Sequence, residues 1–552
     1  MARTASVPKK YTKHQLLIGR SIWICIVAYA AVSIIDWQIA GQPSAEWTIT
    51  TLLAIVLGAL GFLAANEQVE RAIEWMGRTW KAGAASALLA AVALLALLTP
   101  YPYFQQTITI GADLPLSGID KANGEAVKRG IELAIERKNN SNRDSDFKYT
   151  FQLRSLDDVT NPHGTANAGV GKKNIDKLKR DQRVAGIIGP YNTDVAIGEI
   201  PVANAEGDAI ALISPSTTAE CLTGPKALSQ TRPQYDCDAG YLNGRDAKGG
   251  FFRLAASNAK MGEVYVGCLA ADVAAAPGMC PDMPHKNGQL YRKAAIIDDG
   301  SVFSLGLADS MAAEWKTRSK TPLLYGPVSA GPGSVETSIR EKLTELSALP
   351  DSPDLLIYVG SYQNSETFQN LLGQFSGLDS ADVAYSTSIM NVKPSEHFLR
   401  KADASRSYYA VAPLISLKDS TNPHAQEFVT AYRQKYSVDP NPYSATGFDA
   451  ANILISAIEK AIGEQAQVPN PTLLQHLLGR TSKDAKDFRQ AVISKIRDDT
   501  QYESAASATG TLTFARNSNG ELRDAKSSAV SVFRWAPNSI GQSTNINGWD
   551  FQ

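Results

Sequence analysis

The sequence predicts three membrane-spanning helices followed by two α/β lobes with parallel sheets. Three apolar runs before residue 100, at about 16–35, 47–65 and 82–99, indicate the membrane segments. Each run approaches the roughly 20 apolar residues that a helix needs to cross the hydrocarbon layer. Short β-rich runs alternate with amphipathic segments after residue 107, and the alternation restarts after residue 250. The chain therefore divides into a membrane anchor, 1–104, and an α/β part, 105–552.

The placement of lysine and arginine predicts the orientation of the anchor. The loop at 36–46 has neither residue, whereas the N-terminal tail and the loop at 66–81 are basic, with Arg3, Lys9, Lys10 and Lys13 in the tail and Arg71, Arg78 and Lys81 in the loop. Because basic loops stay on the cytoplasmic side, the N-terminus is expected to be cytoplasmic. Three crossings then leave the chain after residue 101 outside, as the extracytoplasmic part of a multi-pass protein of the cell membrane.

The elements of the α/β part follow from hydrophobic periodicity. In the first set, strands are predicted at 107–112, 147–155, 184–188 and 210–213, and helices at 124–139, 161–180 and 193–206. In the second set, strands are predicted at 294–297 and 355–359, and helices at 304–319 and 365–375. Strands that alternate with helices in this way form parallel sheets from βαβ units, so each set predicts one lobe.

Three loops after the predicted strands are rich in hydroxyl groups, glycine and proline. They are DLPLSG at 113–118, GPYNTD at 189–194 and SPSTTA at 214–219. Ligands bind at the carboxyl ends of the strands in open α/β sheets. Asn192 or Thr193 is positioned to cap the next helix, whose free N–H groups would then suit a carboxylate or another anion. The three loops together predict a ligand site.

Composition and motifs argue against several other functions. The 552 residues include 54 Lys+Arg and 55 Asp+Glu, a net charge of -1, which is unlike a nucleic-acid-binding protein. The six histidines are scattered and no G-x-S-x-G motif occurs, so no catalytic residue, metal site or cofactor is predicted and the chain is not expected to be an enzyme. The acidic pairs Asp157–Asp158 and Asp498–Asp499 are interpreted as solvated surface.

Four of the five cysteines lie in the predicted exterior, at Cys221, Cys237, Cys268 and Cys280. Proximity favours two local disulfide bonds, Cys221–Cys237 and Cys268–Cys280, although four cysteines allow three pairings. A metal site built from the four thiolates is the alternative, and the absence of a C-x2-C pair disfavours it.

The exterior resembles the type I periplasmic binding proteins, in the leucine/isoleucine/valine-binding branch of ABC transporter substrate-binding proteins. The resemblance covers about 107–536 and rests on LPLSG, IIGPYNTD, AIALISPSTTAE, AAIIDDGSVFSLGLA, LLIYVGSY, YSATGFDAANILISAIEKA and GTLTFARNSNGEL, in that order. It implies two α/β lobes joined by three crossovers, near 252–257, 407–413 and 509–513. Lobe one would comprise about 107–251 and 413–509, and lobe two about 258–406 and 513–552.

The resemblance also implies ligand-binding residues, which match position by position. Thr193, Ser216 and Thr218 match groups that bind a ligand α-carboxylate, and the aromatic rings of Phe303 and Tyr362 match the ligand-facing wall of lobe two. Ser388, or a neighbour, stands where amino-acid binders of the family place a carboxylate for the ligand ammonium.

Two departures from the family pattern bear on the ligand. No aromatic residue occurs at 119–123, where the family often has one. The missing lobe-two carboxylate means either that Asp298, Asp299 or Glu366 takes its place or that the ligand is not an ordinary α-amino acid.

By the resemblance, the chain is expected to be a membrane-anchored solute-binding protein. It would close around an amino acid or a related small polar ligand and deliver it to a separately encoded ABC permease. A ligand sensor that signals through a membrane partner is the first alternative, and an extracellular enzyme on the same fold is the second.

Overall fold

The computed structural model describes residues 107–143, 147–161, 164–223, 249–270, 291–319, 321–329, 335–387, 406–413, 417, 422–469, 482–498, 507–509, 514–516, 522–525, 530–535 and 550–551. All of these residues belong to one compact unit. Among the helices in these ranges, none is both long enough and apolar enough to span a membrane. The three predicted membrane helices lie outside the described residues.

Strands and helices alternate along most of the described chain. The strands are β1 (Thr107–Leu114), β2 (Thr150–Asp157), β3 (Val184–Ile188), β4 (Ala211–Ser214), β5 (Phe251–Arg253), β6 (Ala294–Asp298), β7 (Tyr325–Ser329), β8 (Leu355–Val359), β9 (Asp382–Tyr385), β10 (Tyr408–Ala412), β11 (Phe514–Arg516), β12 (Leu522–Ala525), β13 (Ser531–Trp535) and β14 (Asp550–Phe551). The helices are α1 (Lys121–Asn142), α2 (Ala168–Arg180), α3 (Thr193–Ala203), α4 (Asn258–Leu269), α5 (Val302–Arg318), α6 (Val335–Ser347), α7 (Tyr362–Leu372), α8 (Pro423–Tyr436), α9 (Pro442–Gly463) and α10 (Lys483–Asp498).

The first lobe is built on a sheet with the strand order β11-β12-β5-β4-β3-β1-β2. Strands β1 to β5 run parallel, as the βαβ pattern predicts. Every residue of β3 and β4 is buried, which fits a central strand covered by helices on both faces. The carboxyl ends of β1, β3 and β4 therefore meet at one edge of the sheet.

The second lobe has the same plan, with the strand order β14-β13-β10-β9-β8-β6-β7. Strands β6 to β10 are parallel, and β13 and β14 extend the sheet in antiparallel pairs. Two lobes with parallel sheets were predicted from the sequence, and the structure confirms them.

Helix α9 returns to the first lobe and packs closely against α1. A Cβ atom added at Gly130 on α1 would lie 1.9 Å from the Ser444 carbonyl oxygen, and one added at Gly447 would lie 2.4 Å from the Val127 carbonyl oxygen. Only glycine permits so close an approach of the two backbones. Asn441, the N-cap residue of α9, also donates to Asn123 in the first turn of α1, so the N-terminal ends of the two helices lie together.

The last strands correct the predicted division of the lobes. The prediction assigned 513–552 to lobe two, but β12 pairs in parallel with β5 and β11 pairs with β12, so both belong to the first sheet. Strands β13 and β14 belong to the second sheet. The last crossover therefore lies between Ala525 and Ser531 rather than at 509–513. Which sheet edge accepts the β11–β12 pair depends on tertiary packing, which the sequence pattern does not show.

Candidate functional site

The loops after β3 and β4 are joined by a network of hydroxyl groups. The Ser214 hydroxyl donates to the Pro190 carbonyl at 2.8 Å and accepts from the Thr217 hydroxyl at 2.8 Å and the Thr217 N–H at 3.0 Å. A Cβ atom at Gly189 would lie 2.3 Å from the Asp113 carbonyl oxygen, and its φ of +137° also favours glycine. These contacts hold the two loops against the end of β1.

Ser216 contributes to this network through its hydroxyl, which donates to the Tyr191 carbonyl at 2.6 Å. Its proton is therefore used in joining the two loops. The sequence predicts a ligand contact for Ser216, and the structure places it next to the predicted site in a role that positions the loop.

Thr193 and Thr218 lie together at the first turn of α3. The Thr218 N–H donates to the Thr193 hydroxyl oxygen at 3.3 Å. The Thr218 hydroxyl is shielded from solvent and has no hydrogen-bond partner among the described residues. Asn192, at the N-cap position of α3, makes no side-chain capping bond, so it leaves the first N–H groups of the helix uncapped. A buried hydroxyl without a partner beside a helix N-terminus is chemically suited to a carboxylate.

The second lobe presents the two predicted aromatic residues at the first turns of two helices. Phe303 lies on α5 and is half-buried against the hydrophobic cluster of its own lobe. Tyr362 is the first residue of α7 and is also half-buried, which raises the pKa of its hydroxyl. The third predicted residue of this lobe, Ser388, lies outside the described residues.

The adjacent carboxylates of Asp298 and Asp299 stabilise loops of the second lobe. Asp298 accepts hydrogen bonds from Gly300 N and from the Ser329 hydroxyl. Asp299 accepts four hydrogen bonds, from Ser301 N at 3.2 Å, the Ser304 hydroxyl at 2.6 Å, Ser361 N at 2.7 Å and Asn364 Nδ2 at 2.9 Å. Oxygens so fully engaged are poorly placed to receive a ligand ammonium group.

The two lobes touch along the edge that carries these loops. Asn258 N on α4 donates to the Thr218 carbonyl oxygen at 2.8 Å, and Val302 N on α5 donates to Oδ1 of Asp194 at 3.1 Å. Leu305 on α5 is buried in a hydrophobic cluster whose other fully buried members all come from the first lobe, among them Ala196. The described conformation is therefore one in which the lobes meet beside the predicted site.

Two tyrosines supply the aromatic surface that the sequence lacks at 119–123. The rings of Tyr191 and Tyr443 meet edge to face with centroids 5.0 Å apart. The side chain of Tyr443, at the first turn of α9, also lies near Thr387 of the second lobe. Neither tyrosine was identified from the sequence, although each stands in a motif of the family resemblance, GPYNTD and PYSATGF.

A buried group of acids lies below the loops of the first lobe, which corrects the interpretation of Asp157–Asp158 as solvated surface. Asp158 is buried, and neither oxygen of its carboxyl group has a partner among the described residues. Burial, with the nearby charges of Asp113, Asp157 and Asp120, raises its pKa to about 8. Burial likewise raises the pKa of Asp113 to about 6 and that of Glu199 well above its usual value.

Within the described ranges, no group of His, Cys, Asp and Glu side chains could hold a metal ion. Cys221 and Cys268 are both buried and disulfide-bonded. The other two predicted partners, Cys237 and Cys280, lie outside the described residues, so the pairing stays a prediction.

A family model described as "Periplasmic binding protein" matches residues 107–525. Among curated proteins, none matches the chain. Solved structures do match the fold. A leucine-binding protein from Thermotoga maritima aligns with a TM-score of 0.53 and 16% identity, over 81% of this chain and 97% of its own.

Two further structures were solved with a ligand. A branched-chain amino acid transporter substrate-binding protein from Streptococcus pneumoniae, in complex with isoleucine, aligns with a TM-score of 0.51 and 15% identity over 81% of this chain and 99% of its own. A solute-binding protein of an ABC transporter from R. palustris, in complex with benzoate, aligns with a TM-score of 0.51 and 16% identity over 78% of this chain and 92% of its own. At these identities the similarity shows the fold.

Proposed function

The chain belongs to the periplasmic binding protein family, and from that premise we propose that it captures a small carboxylate-bearing solute, an amino acid or a related compound, between its two lobes. The observation that carries the proposal is the Thr218 hydroxyl, which is buried without a partner beside the uncapped first turn of α3. Burying an unsatisfied polar group costs roughly 1–3 kcal/mol, and a bound carboxylate would remove that cost.

The ligands of the similar proteins support this chemistry. Isoleucine and benzoate differ in size, shape and charge, but both present a carboxylate next to an apolar group. In this chain the hydroxyls of Thr193 and Thr218 lie at the carboxyl end of the first sheet, where they would bind such a carboxylate. Phe303 and Tyr362 of the second lobe supply apolar surface for the remainder of the ligand.

Capture would proceed by hinge closure, since the candidate residues come from both lobes. The hydrogen bonds from Val302 to Asp194 and from Asn258 to Thr218 would form as the lobes meet. A ligand that contacts both lobes stabilises this closed form by its differential affinity for it. A closed pair of lobes then offers a composite surface to a partner.

We further propose that the partner is the permease of an ABC importer and that the α/β part acts outside the cytoplasm, held there by the apolar N-terminal segments. The basic residues of the N-terminal tail support this orientation. A reporter enzyme that is active only outside the cytoplasm, fused after residue 552, tests it. An inactive fusion at normal protein level would contradict the extracytoplasmic location.

A binding screen tests the capture of a carboxylate. The purified full-length chain is heated with each of the twenty amino acids, with benzoate, and with sugars and nucleosides as controls. A ligand at one hundred times its dissociation constant stabilises the fold by about 2.7 kcal/mol, which gives a measurable rise in melting temperature. Stabilisation by carboxylates is expected. A response to sugars or nucleosides only would contradict the proposal.

A further inference from the structure

Asp120 is a carboxylate of the first lobe that has no cationic partner among the described residues. It stands at the N-cap position of α1, after the loop that follows β1, but its side chain makes no capping hydrogen bond. One oxygen, Oδ2, accepts from Asn192 Nδ2 at 3.0 Å. No lysine, arginine or histidine of the described chain forms an ion pair with it. Its enclosure among the loops raises the pKa of the carboxyl group, so a neighbouring cation would relieve an unfavourable burial.

The side-chain amide of the neighbouring Asn192 supplies a second acceptor atom, in addition to the Asp120 carboxylate. Because its Nδ2 donates to the Asp120 carboxylate, the identity of the two amide atoms is fixed and Oδ1 is the acceptor. Oδ1 of Asn192 is shielded from solvent and has no hydrogen-bond partner among the described residues. The Asp120 carboxylate and the unpartnered Asn192 amide oxygen are acceptors on adjacent side chains, and such a pair is suited to an N–H-rich cation.

The surroundings hold these acceptors in place. Asn441 Nδ2 donates to Asn123 Oδ1 at 2.8 Å, and Asn123 Nδ2 in turn donates to the Tyr191 hydroxyl, so a chain of side-chain hydrogen bonds links the first turns of α9 and α1 to the loop before α3. Tyr191 directly precedes Asn192, and its ring packs against Tyr443, which reaches Thr387 of the second lobe. Asp120 and Asn192 therefore lie beside residues that connect the two lobes.

Of the second-lobe carboxylates named from the sequence, Asp299 has both oxygens engaged by hydrogen bonds from its own lobe, and Asp298 accepts two at Oδ1. Glu366, on α7, lies near Tyr362.

We propose that Asp120 and Asn192 bind the ammonium group of a zwitterionic ligand, whose carboxylate is bound at Thr193 and Thr218. This inference rests on the proposed function and narrows it to amino-acid-like zwitterions. Both charged ends of the ligand would then be held by the first lobe, and the second lobe would close over its side chain.

Matched ligand pairs test the inference by isothermal titration calorimetry on the full-length chain. Each amino acid is compared with its deaminated acid and its decarboxylated amine, for example leucine with 4-methylpentanoate and 3-methylbutylamine. The intact protein is expected to bind the best amino acid at least about 10-fold more tightly than its deaminated acid, as expected for a hydrogen bond to a charged group. Equal affinity for the two would overturn the inference and leave the proposed function standing. Binding of no carboxylate at all would overturn the proposed function, and the inference with it.

The variant Asp120→Asn gives the second arm of the test. It is expected to weaken amino acid binding by about 10- to 100-fold and to leave the affinity for the deaminated acid unchanged. Glu125→Gln, which removes a half-exposed carboxylate from the same helix, is the matched control and is expected to change neither affinity. An equal loss for both ligands in Asp120→Asn would assign Asp120 to loop structure and overturn the inference. The ligand preference of the unmodified chain decides the question even if the variant fails to fold.

Discussion

Oδ1 of Asp194 accepts a hydrogen bond from the backbone N–H of Val302 at 3.1 Å and so connects the first turn of α3 in one lobe with the first turn of α5 in the other. The N–H groups at a helix N-terminus carry partial positive charge, so a carboxylate there is stabilising. Because the two residues belong to different lobes, the bond contributes to the closed form and is lost when the lobes separate.

Replacing Asp194 by alanine is therefore expected to weaken ligand binding by about 3- to 10-fold, since the closed form loses one charge-assisted hydrogen bond at an exposed position. Calorimetry with the tightest-binding amino acid measures the affinity, and small-angle X-ray scattering of the ligand-bound protein should show a larger radius of gyration. Asp487→Ala removes an exposed carboxylate on α10 as a control. Unchanged affinity in Asp194→Ala would show that the contact does not contribute to closure.

The neighbouring threonines Thr217 and Thr218 are expected to respond in opposite ways to the same substitution. The Thr217 hydroxyl donates to Ser214, whereas the Thr218 hydroxyl has no described partner. Thr217→Val should lower the free energy of unfolding by about 1 kcal/mol. Thr218→Val should leave the stability of the free protein unchanged or higher and weaken carboxylate binding by about 10-fold.

Thermal melts without ligand and calorimetry with ligand separate the two effects in these threonine variants. A loss of stability without a loss of affinity in Thr218→Val would remove this residue from the site.

Tyr362 is expected to bind the ligand through its ring. It is half-buried at the start of α7, where part of its surface packs on the core. Tyr362→Ala should weaken binding by roughly 10-fold. Removal of the ring loses apolar contact with the ligand, and burial of that apolar surface contributes about 1–2 kcal/mol to the binding free energy. Tyr362→Phe keeps the ring and should bind within about twofold of the unmodified protein. If calorimetry finds the phenylalanine variant as weak as the alanine variant, the hydroxyl rather than the ring makes the contact.

Two buried strands were predicted to the residue. The runs at 184–188 and 355–359 coincide with β3 and β8, because buried parallel strands form continuous apolar runs rich in Val, Ile and Leu. Strand β7 was missed, since Gly326 and Pro327 within it resemble a turn. Its position at the edge of the second sheet explains why the proline is tolerated there.

The candidate site was predictable only in part. Hydroxyl-rich loops after strands predicted a ligand site at this edge of the sheet, and the family resemblance assigned Thr193 and Thr218 to it. The partnership of Asp120 with Asn192 joins residues 72 positions apart, and no local pattern reveals it. The burial of Asp158 was equally hidden, since a pair of aspartates after a strand most often indicates surface. Such features depend on how α1, α3 and α9 pack together, which is tertiary information.

The buried carboxyl group of Asp158 should make the first lobe more stable in mild acid. Its pKa in the folded protein is about 8, above the ordinary value of 3.8, so the folded state holds an additional proton between these values. The stabilisation is complete below about pH 3.8 and is lost as the pH rises through about 8. One proton corresponds to a slope of up to about 1.4 kcal/mol per pH unit. Urea unfolding at a series of pH values from 5 to 8.5, about one unit apart, measures it.

The neutral variant Asp158→Asn is expected to unfold with a flatter pH dependence and to be more stable than the unmodified chain at the upper end of this range, because it avoids ionising a buried group that has no described partner. Asp157→Asn is the matched control. The Asp157 carboxylate accepts hydrogen bonds from Leu116 N and Val159 N, so its loss should destabilise the protein. Because its charge also contributes to the raised pKa of Asp158, the pH-dependent slope should persist but end at a lower pH. Identical slopes for the unmodified chain and Asp158→Asn would place the titrating group elsewhere, with Asp113 and Glu199 the next carboxyl groups to replace.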